Sequence, residues 1–186
     1  MTLEDQLKSF RDKYIGSFMD ARAKFEKEDK KIGAEIQAVP NNVQEHWSFG
    51  GCFRIDMIFI DTLQPIAIQC NPIEPIRSRY IATSTLILEV LPCAWWNISF
   101  ECANFDQGDQ AFIDWYEKWY DVNDKGFPVE AGLMGLIHAV TKVERQGDSC
   151  VFSVDFGTAS VDSALELISV FSSQGVRNLK IATIED

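Results

Sequence analysis

A chain of 186 residues with 46% hydrophobic and 24% charged residues has the balance of one globular domain with a substantial core. No apolar run approaches the ~18 residues of a spanning helix, which excludes a membrane span. The net charge of −11 is concentrated after residue 31, where nine basic residues face twenty-one acidic ones. Such a body repels phosphate backbones, so nucleic acid is not an expected partner and a basic protein is.

The first thirty residues are charged throughout and lack the apolar stretch of a secretory signal, so a cytoplasmic location is expected. Leu3, Leu7, Phe10, Tyr14, Phe18, Ala21 and Phe25 recur every three or four positions, which predicts an amphipathic helix over about 2–31. Apolar and β-branched runs then predict strands at Phe53–Ile60, Pro65–Cys70, Tyr80–Leu91 and Ala94–Cys102. The two prolines within 71–79 mark a loop or sheet edge.

Residues 108–121 return to helical spacing, with Phe112, Trp115, Tyr116, Trp119 and Tyr120 crowded on one side. Two strands follow, Leu133–Glu144 and Ser149–Phe156, around a turn read at Gln146-Gly147. That register sets His138 across from Asp155 and gives Ile137, Ala139, Thr141 and Val143 a core face with Phe156, Val154, Phe152 and Cys150. A last helix starts near Ser160 or Asp162, ends near Ser173 before Gly175, and leads into a strand at Val176–Thr183. That strand should run parallel to Ser149–Phe156 if both share a sheet. The expectation is one α+β domain over 1–186: a mostly antiparallel sheet of five to seven strands with three helices against it. The order of these predicted elements resembles the α-βββ-α-ββ-α order of type III secretion chaperones, which are also small and acidic, and the resemblance is one of topology alone. The final strand has no counterpart in it.

Several motifs dissolve on inspection. Asp155-Phe156-Gly157 lacks the glycine-rich and catalytic loops of a kinase and reads as a strand end. Asp121–Gly126 puts Lys125 and Gly132 where a calcium loop needs an acceptor and a glutamate. Asn97-Ile98-Ser99 matches a glycosylation acceptor but falls within a predicted strand. The five cysteines show no C-x-x-C spacing and read as buried reduced thiols. With His46 and His138 alone, a Cys/His metal site lacks ligands, so neither metal nor cofactor is expected.

Two catalytic sets remain as candidates. His46 and Cys52 would make a thiolate–imidazole pair if the chain folds back at Gly50-Gly51. His138, Asp155 and the diagonal Ser153 are the residue types of a hydrolase triad, but an open strand face offers no oxyanion donors. The most unusual stretch is Glu101–Glu130, with eight acidic and two basic residues among seven aromatic ones. Aromatic anchors inside a charged rim characterise protein-binding surfaces. Asp114, Trp115, Glu117, Trp119 and Asp121 are therefore the expected partner-binding residues of a non-catalytic protein, an immunity-type inhibitor or dedicated chaperone. A small enzyme or ligand-binding domain with a pocket between sheet and helices is the alternative.

Overall fold

The computed structural model describes residues 1–38, 49–66, 68, 77–83, 85–123 and 133–183. The first helix, α1 (Leu3–Lys27), opens with a reciprocal cap in which the Thr2 hydroxyl accepts from Asp5 N–H and the Asp5 carboxylate accepts from Thr2 N–H. It stops four residues short of the expected end. Asp29 turns left-handed (φ 54°) and Lys30 N–H reaches back to the Phe25 carbonyl, closing the helix. Leu7, Phe10, Tyr14 and Phe18 form its buried stripe.

Strands β1 (Ile32–Ala38), β2 (Phe53–Phe59) and β3 (Pro65–Ile66) make a small antiparallel sheet. A larger one combines β4 (Ser78–Ile81), β5 (Ile87–Val90), β6 (Ile98–Cys102), β7 (Ala139–Val140), β8 (Glu144–Gln146), β9 (Ser149–Asp155) and β10 (Asn178–Ala182). Its order is β4-β5-β10-β6-β9-β7, with β8 also on β9. Helices α2 (Gln110–Tyr120) and α3 (Val161–Ser173) complete the α+β fold. Phe171 of α3 packs on Phe100 and Phe152 of the large sheet at 5.5 and 5.8 Å between ring centroids. Backbone bonds from Phe49 N–H to Val140 O (2.7 Å) and from Arg54 N–H to His138 O (2.8 Å) join the two sheets. As expected, β10 runs parallel to β9, because both are antiparallel to β6 between them.

Several expected strands are divided or shortened. The run 80–91 is a hairpin whose strands pair from Ser78↔Val90 to Ile81↔Ile87, and the Thr83 hydroxyl accepts from Thr85 and Leu86 N–H in its turn. β6 begins only at Ile98, after a turn in which Asn97 N–H donates to Ala94 O. Ahead of His138, whose N–H donates to Asp155 O of β9 at 2.8 Å, the backbone donors go elsewhere: Met134 to the Glu35 carboxylate, Gly135 to the Thr158 hydroxyl and Ile137 to Trp119 O. A continuous strand is therefore absent there.

The hairpin register is corrected. Gln146 pairs with Ser149, so Gly147-Asp148 makes the turn, with Gly147 at φ 62° in the position a tight hairpin reserves for glycine. The pairing then slips by one residue between β8 and β7, so that Ala139, not His138, opposes Asp155 and Val140 opposes Val154. Val140 is consequently buried and Ala139 only partly so, while Cys150, Phe152, Val154 and Phe156 face the core as expected.

Candidate functional site

The most polar feature of the interior surrounds His138, which is fully buried just before β7. Three carboxylates from three strands converge on it. Glu35 of β1 and Asp56 of β2 stand opposite one another, between the pairs Ala34↔Met57 and Ile36↔Ile55. Asp155 ends β9. Glu35 adopts a left-handed conformation (φ 52°) that a non-glycine residue enters at a cost of about 1–2 kcal/mol. The twist reverses the hydropathy of the strand: Glu35 is buried and Ile36 is 40% exposed.

The two imidazole nitrogens have different surroundings. Nε2 lies 3.3 Å from Glu35 Oε1. The Glu35 carboxylate also accepts from the Thr158 hydroxyl and from Met134 N–H at 2.6 Å. Burial pushes its pKa up, but His138 and these donors outweigh burial and hold the group below the ordinary glutamate value. An ionised Glu35 needs a donor, so Nε2 carries hydrogen. Nδ1 lies 2.8 Å from Asp56 Oδ1 and 4.0 Å from Asp155 Oδ2, yet makes no aligned hydrogen bond with either. Both carboxylates accept a further hydrogen bond: Tyr14 donates to Asp56 Oδ1, the same oxygen that faces Nδ1, and Gly157 N–H donates to Asp155 Oδ1 at 2.9 Å.

The electrostatics follow from this crowding. Burial opposes charge on His138, but Asp56 and Glu35 overcome it and raise the imidazole to about 10. Burial, with Asp56 nearby, pushes Asp155 up to about 7 against the pull of His138. The buried Arg54 guanidinium donates to Glu35 O (3.2 Å) and to the carbonyls of Tyr120 and Asp121 at the end of α2, where helix carbonyls favour a cation. Gly157, at φ 47°, lies against the imidazole ring and leaves no space for a Cβ.

The hydrolase triad does not assemble. Asp155 and His138 come together, but the Ser153 hydroxyl is taken by Ser99 on β6 at 2.6 Å. Cys52 is partly buried near the start of β2, and His46 lies outside the described residues, as does Cys70. Cys93, Cys102 and Cys150 are buried free thiols, and burial raises Cys93 and Cys102 to about 12. Sequence inspection found His138 and Asp155 but missed Glu35 and Asp56. A lone acid in an apolar run, as in Ile55-Asp56-Met57 and Ala34-Glu35-Ile36, was the available signal.

The acidic–aromatic helix is sandwiched rather than displayed. Trp115 is 3% exposed and its indole donates to Ser163 O on α3 at 2.8 Å; Phe112, Tyr116 and Tyr120 are buried as well. Trp115 is thus not a surface anchor, because α3 covers it. Asp121 is also buried, as the left-handed cap of α2. Asp114 and Glu117 are exposed, and Trp119 is half-buried, donating to Glu166 at 2.8 Å beneath Lys118. A groove of about 1010 Å³ lies elsewhere, against Arg79, Glu89, Lys180 and Glu101 on the large sheet, and none of the His138 cluster lines it.

No protein-family model, curated protein or solved structure matches the chain. The observed element order, with six strands between α1 and α2 and three between α2 and α3 among the described residues, departs from the chaperone order expected above. No described helix is long and apolar enough to cross a membrane.

Proposed function

We propose that this chain is a non-catalytic binding protein that holds a basic protein partner against the outer faces of α2 and α3. One observation carries the reading: this surface already binds an ammonium of its own. Lys118 Nζ sits 2.7 Å from Glu166 Oε1 and 4.7 Å from the centre of the Trp119 ring, so carboxylate and indole together form a cation seat. Exposed Asp114, Glu117 and Asp162 surround it with negative charge. A lysine or arginine from a partner would displace Lys118 there, and the surrounding acids would speed its approach. With Trp115 and Asp121 buried, the contact is more electrostatic than the anchors expected from sequence.

Affinity capture from the native host with the wild-type chain and with Asp114→Lys/Glu117→Lys tests this. The expected result is a basic protein retained by the wild type, released by salt and lost with the double variant. Identical retention by both proteins, or retention that resists salt, would refute it. A second reading, a small ligand-binding or catalytic domain, is favoured by the convergence of His138, Asp56, Asp155 and Glu35 at one buried point.

A further inference from the structure

We propose that Asp56, His138 and Asp155 form a binding site for a divalent transition-metal ion of the zinc class, with one nitrogen and two oxygen donors. The proposal does not depend on the partner-binding surface.

The geometry begins with the spacing of the donor atoms. One carboxylate oxygen from each aspartate and one imidazole nitrogen lie within 4.8 Å of one another. Zinc-class ions bind such atoms at about 2.0–2.2 Å, which places tetrahedral neighbours roughly 3.3–3.6 Å apart. The separations from Nδ1, 2.8 Å to Asp56 and 4.0 Å to Asp155, bracket that value. Small side-chain rotations suffice to equalise them.

The second, independent observation is the state of the imidazole. His138 is fully buried, and its Nδ1 lies between two carboxylates, 2.8 Å from Asp56 and 4.0 Å from Asp155, without an aligned hydrogen bond to either. With Nε2 directed to Glu35, Nδ1 is the nitrogen that faces Asp56 and Asp155, and a metal ion bound there takes the place of the proton that two carboxylates favour. The arrangement on the far side of the ring is what a metal-ligating histidine requires: its other nitrogen donates to a carboxylate that fixes tautomer and orientation. Here that carboxylate is Glu35, held by Thr158 and Met134. Tyr14 and Gly157 N–H play the same orienting part for Asp56 and Asp155.

Access and selectivity agree with this assignment. The side chains of Asp56 and Asp155 keep 20% and 27% of their exposure, so the cluster opens to solvent on the carboxylate side and leaves a fourth position for water. Three ligands including an imidazole suit zinc, cobalt(II), iron(II) or manganese(II). Calcium and magnesium require six or more oxygens.

The experiment uses the full chain stripped with EDTA, then titrated with zinc chloride by calorimetry and with cobalt(II) chloride by visible absorption. One ion per chain is expected, with cobalt d–d bands and no thiolate charge-transfer band. Asp155→Asn, at a partly exposed position, should keep the far-UV spectrum and lower zinc affinity at least tenfold. Cys52→Ser should change nothing. His138→Gln should abolish binding, but its burial makes Asp155→Asn the decisive variant. Failure to take up either ion at micromolar concentration, or affinity unchanged in Asp155→Asn, would overturn the proposal. A cobalt thiolate band lost in Cys52→Ser would overturn it equally.

Discussion

Gly157→Ala tests how tightly the His138 cluster is built. A Cβ on Gly157 would lie 2.5 Å from His138 Cγ and closer still to Cδ2 and Nε2, where nonbonded carbon contacts normally begin near 3.5 Å. The ring is fully buried and held by Glu35 on one side and Asp56 on the other, so it has nowhere to retreat. Three costs combine. Moving alanine into the left-handed region costs about 1–2 kcal/mol. Overpacking a filled interior adds about 1–3 kcal/mol. Displacing the imidazole from Glu35 leaves a buried ion less well paired, at about 1–3 kcal/mol. The expected loss is about 3–8 kcal/mol, a large part of the ~5–15 kcal/mol that holds a typical domain together. Gly147→Ala is the internal control: its φ of 62° is equally unfavourable, but nothing lies within 4 Å of the added carbon. It should lose about 1–2 kcal/mol. Urea unfolding of both variants at equal m-value gives the comparison. Losses within about 1 kcal/mol of each other would mean that the ring moves freely, and the account of a rigid cluster would fail.

Other perturbations read different parts of the same structure. Trp115→Ala should cost about 3–5 kcal/mol in chemical denaturation and the half-buried Trp119→Ala clearly less; a reversed order would place α2 the wrong way round. In acid, the Glu35 contribution is present above about pH 4.5 and is lost as pH falls, because its folded pKa lies below the ordinary value; Glu35→Gln should flatten that limb of a stability–pH curve. In alkali, the His138 contribution is complete below about pH 6.5 and lost as pH rises through about 10, so a curve with no decline across that interval in the metal-free protein would contradict the raised value. Asp155 behaves oppositely to Glu35. Its folded pKa is raised from 3.8 to about 7, so ionisation destabilises the fold as pH rises through that interval. Metal-free Asp155→Asn should therefore be more stable than wild type at pH 8, as measured by thermal unfolding with EDTA.

Much of the architecture was legible because it rests on local rules. The stripe of Leu7, Phe10, Tyr14 and Phe18 specifies α1, and period-two burial along Cys150, Phe152, Val154 and Phe156 specifies β9. The crossover through α3 makes β10 parallel to β9, and spacing alone supports that. The hairpin register was misread because either Gln146-Gly147 or Gly147-Asp148 supplies a glycine. The choice depends on which turn position needs a positive φ, and the later one-residue slip has no local signal. β1 went unseen for the opposite reason: its acid points inward and Ile36 outward, which inverts the pattern that marks a strand.

The candidate site divides in the same way. The sequence determined that the chain is acidic and that its helices and principal strands bury an aromatic core, but it paired His138 with Asp155 only through a register that the structure corrects. Only the tertiary structure decided that Glu35 and Asp56 join them, since these four residues come from separate stretches brought together where the small sheet meets the large one. It also decided that Trp115 belongs to the core, because α3 covers its ring, and a helix's own periodicity cannot say what packs against its widest face.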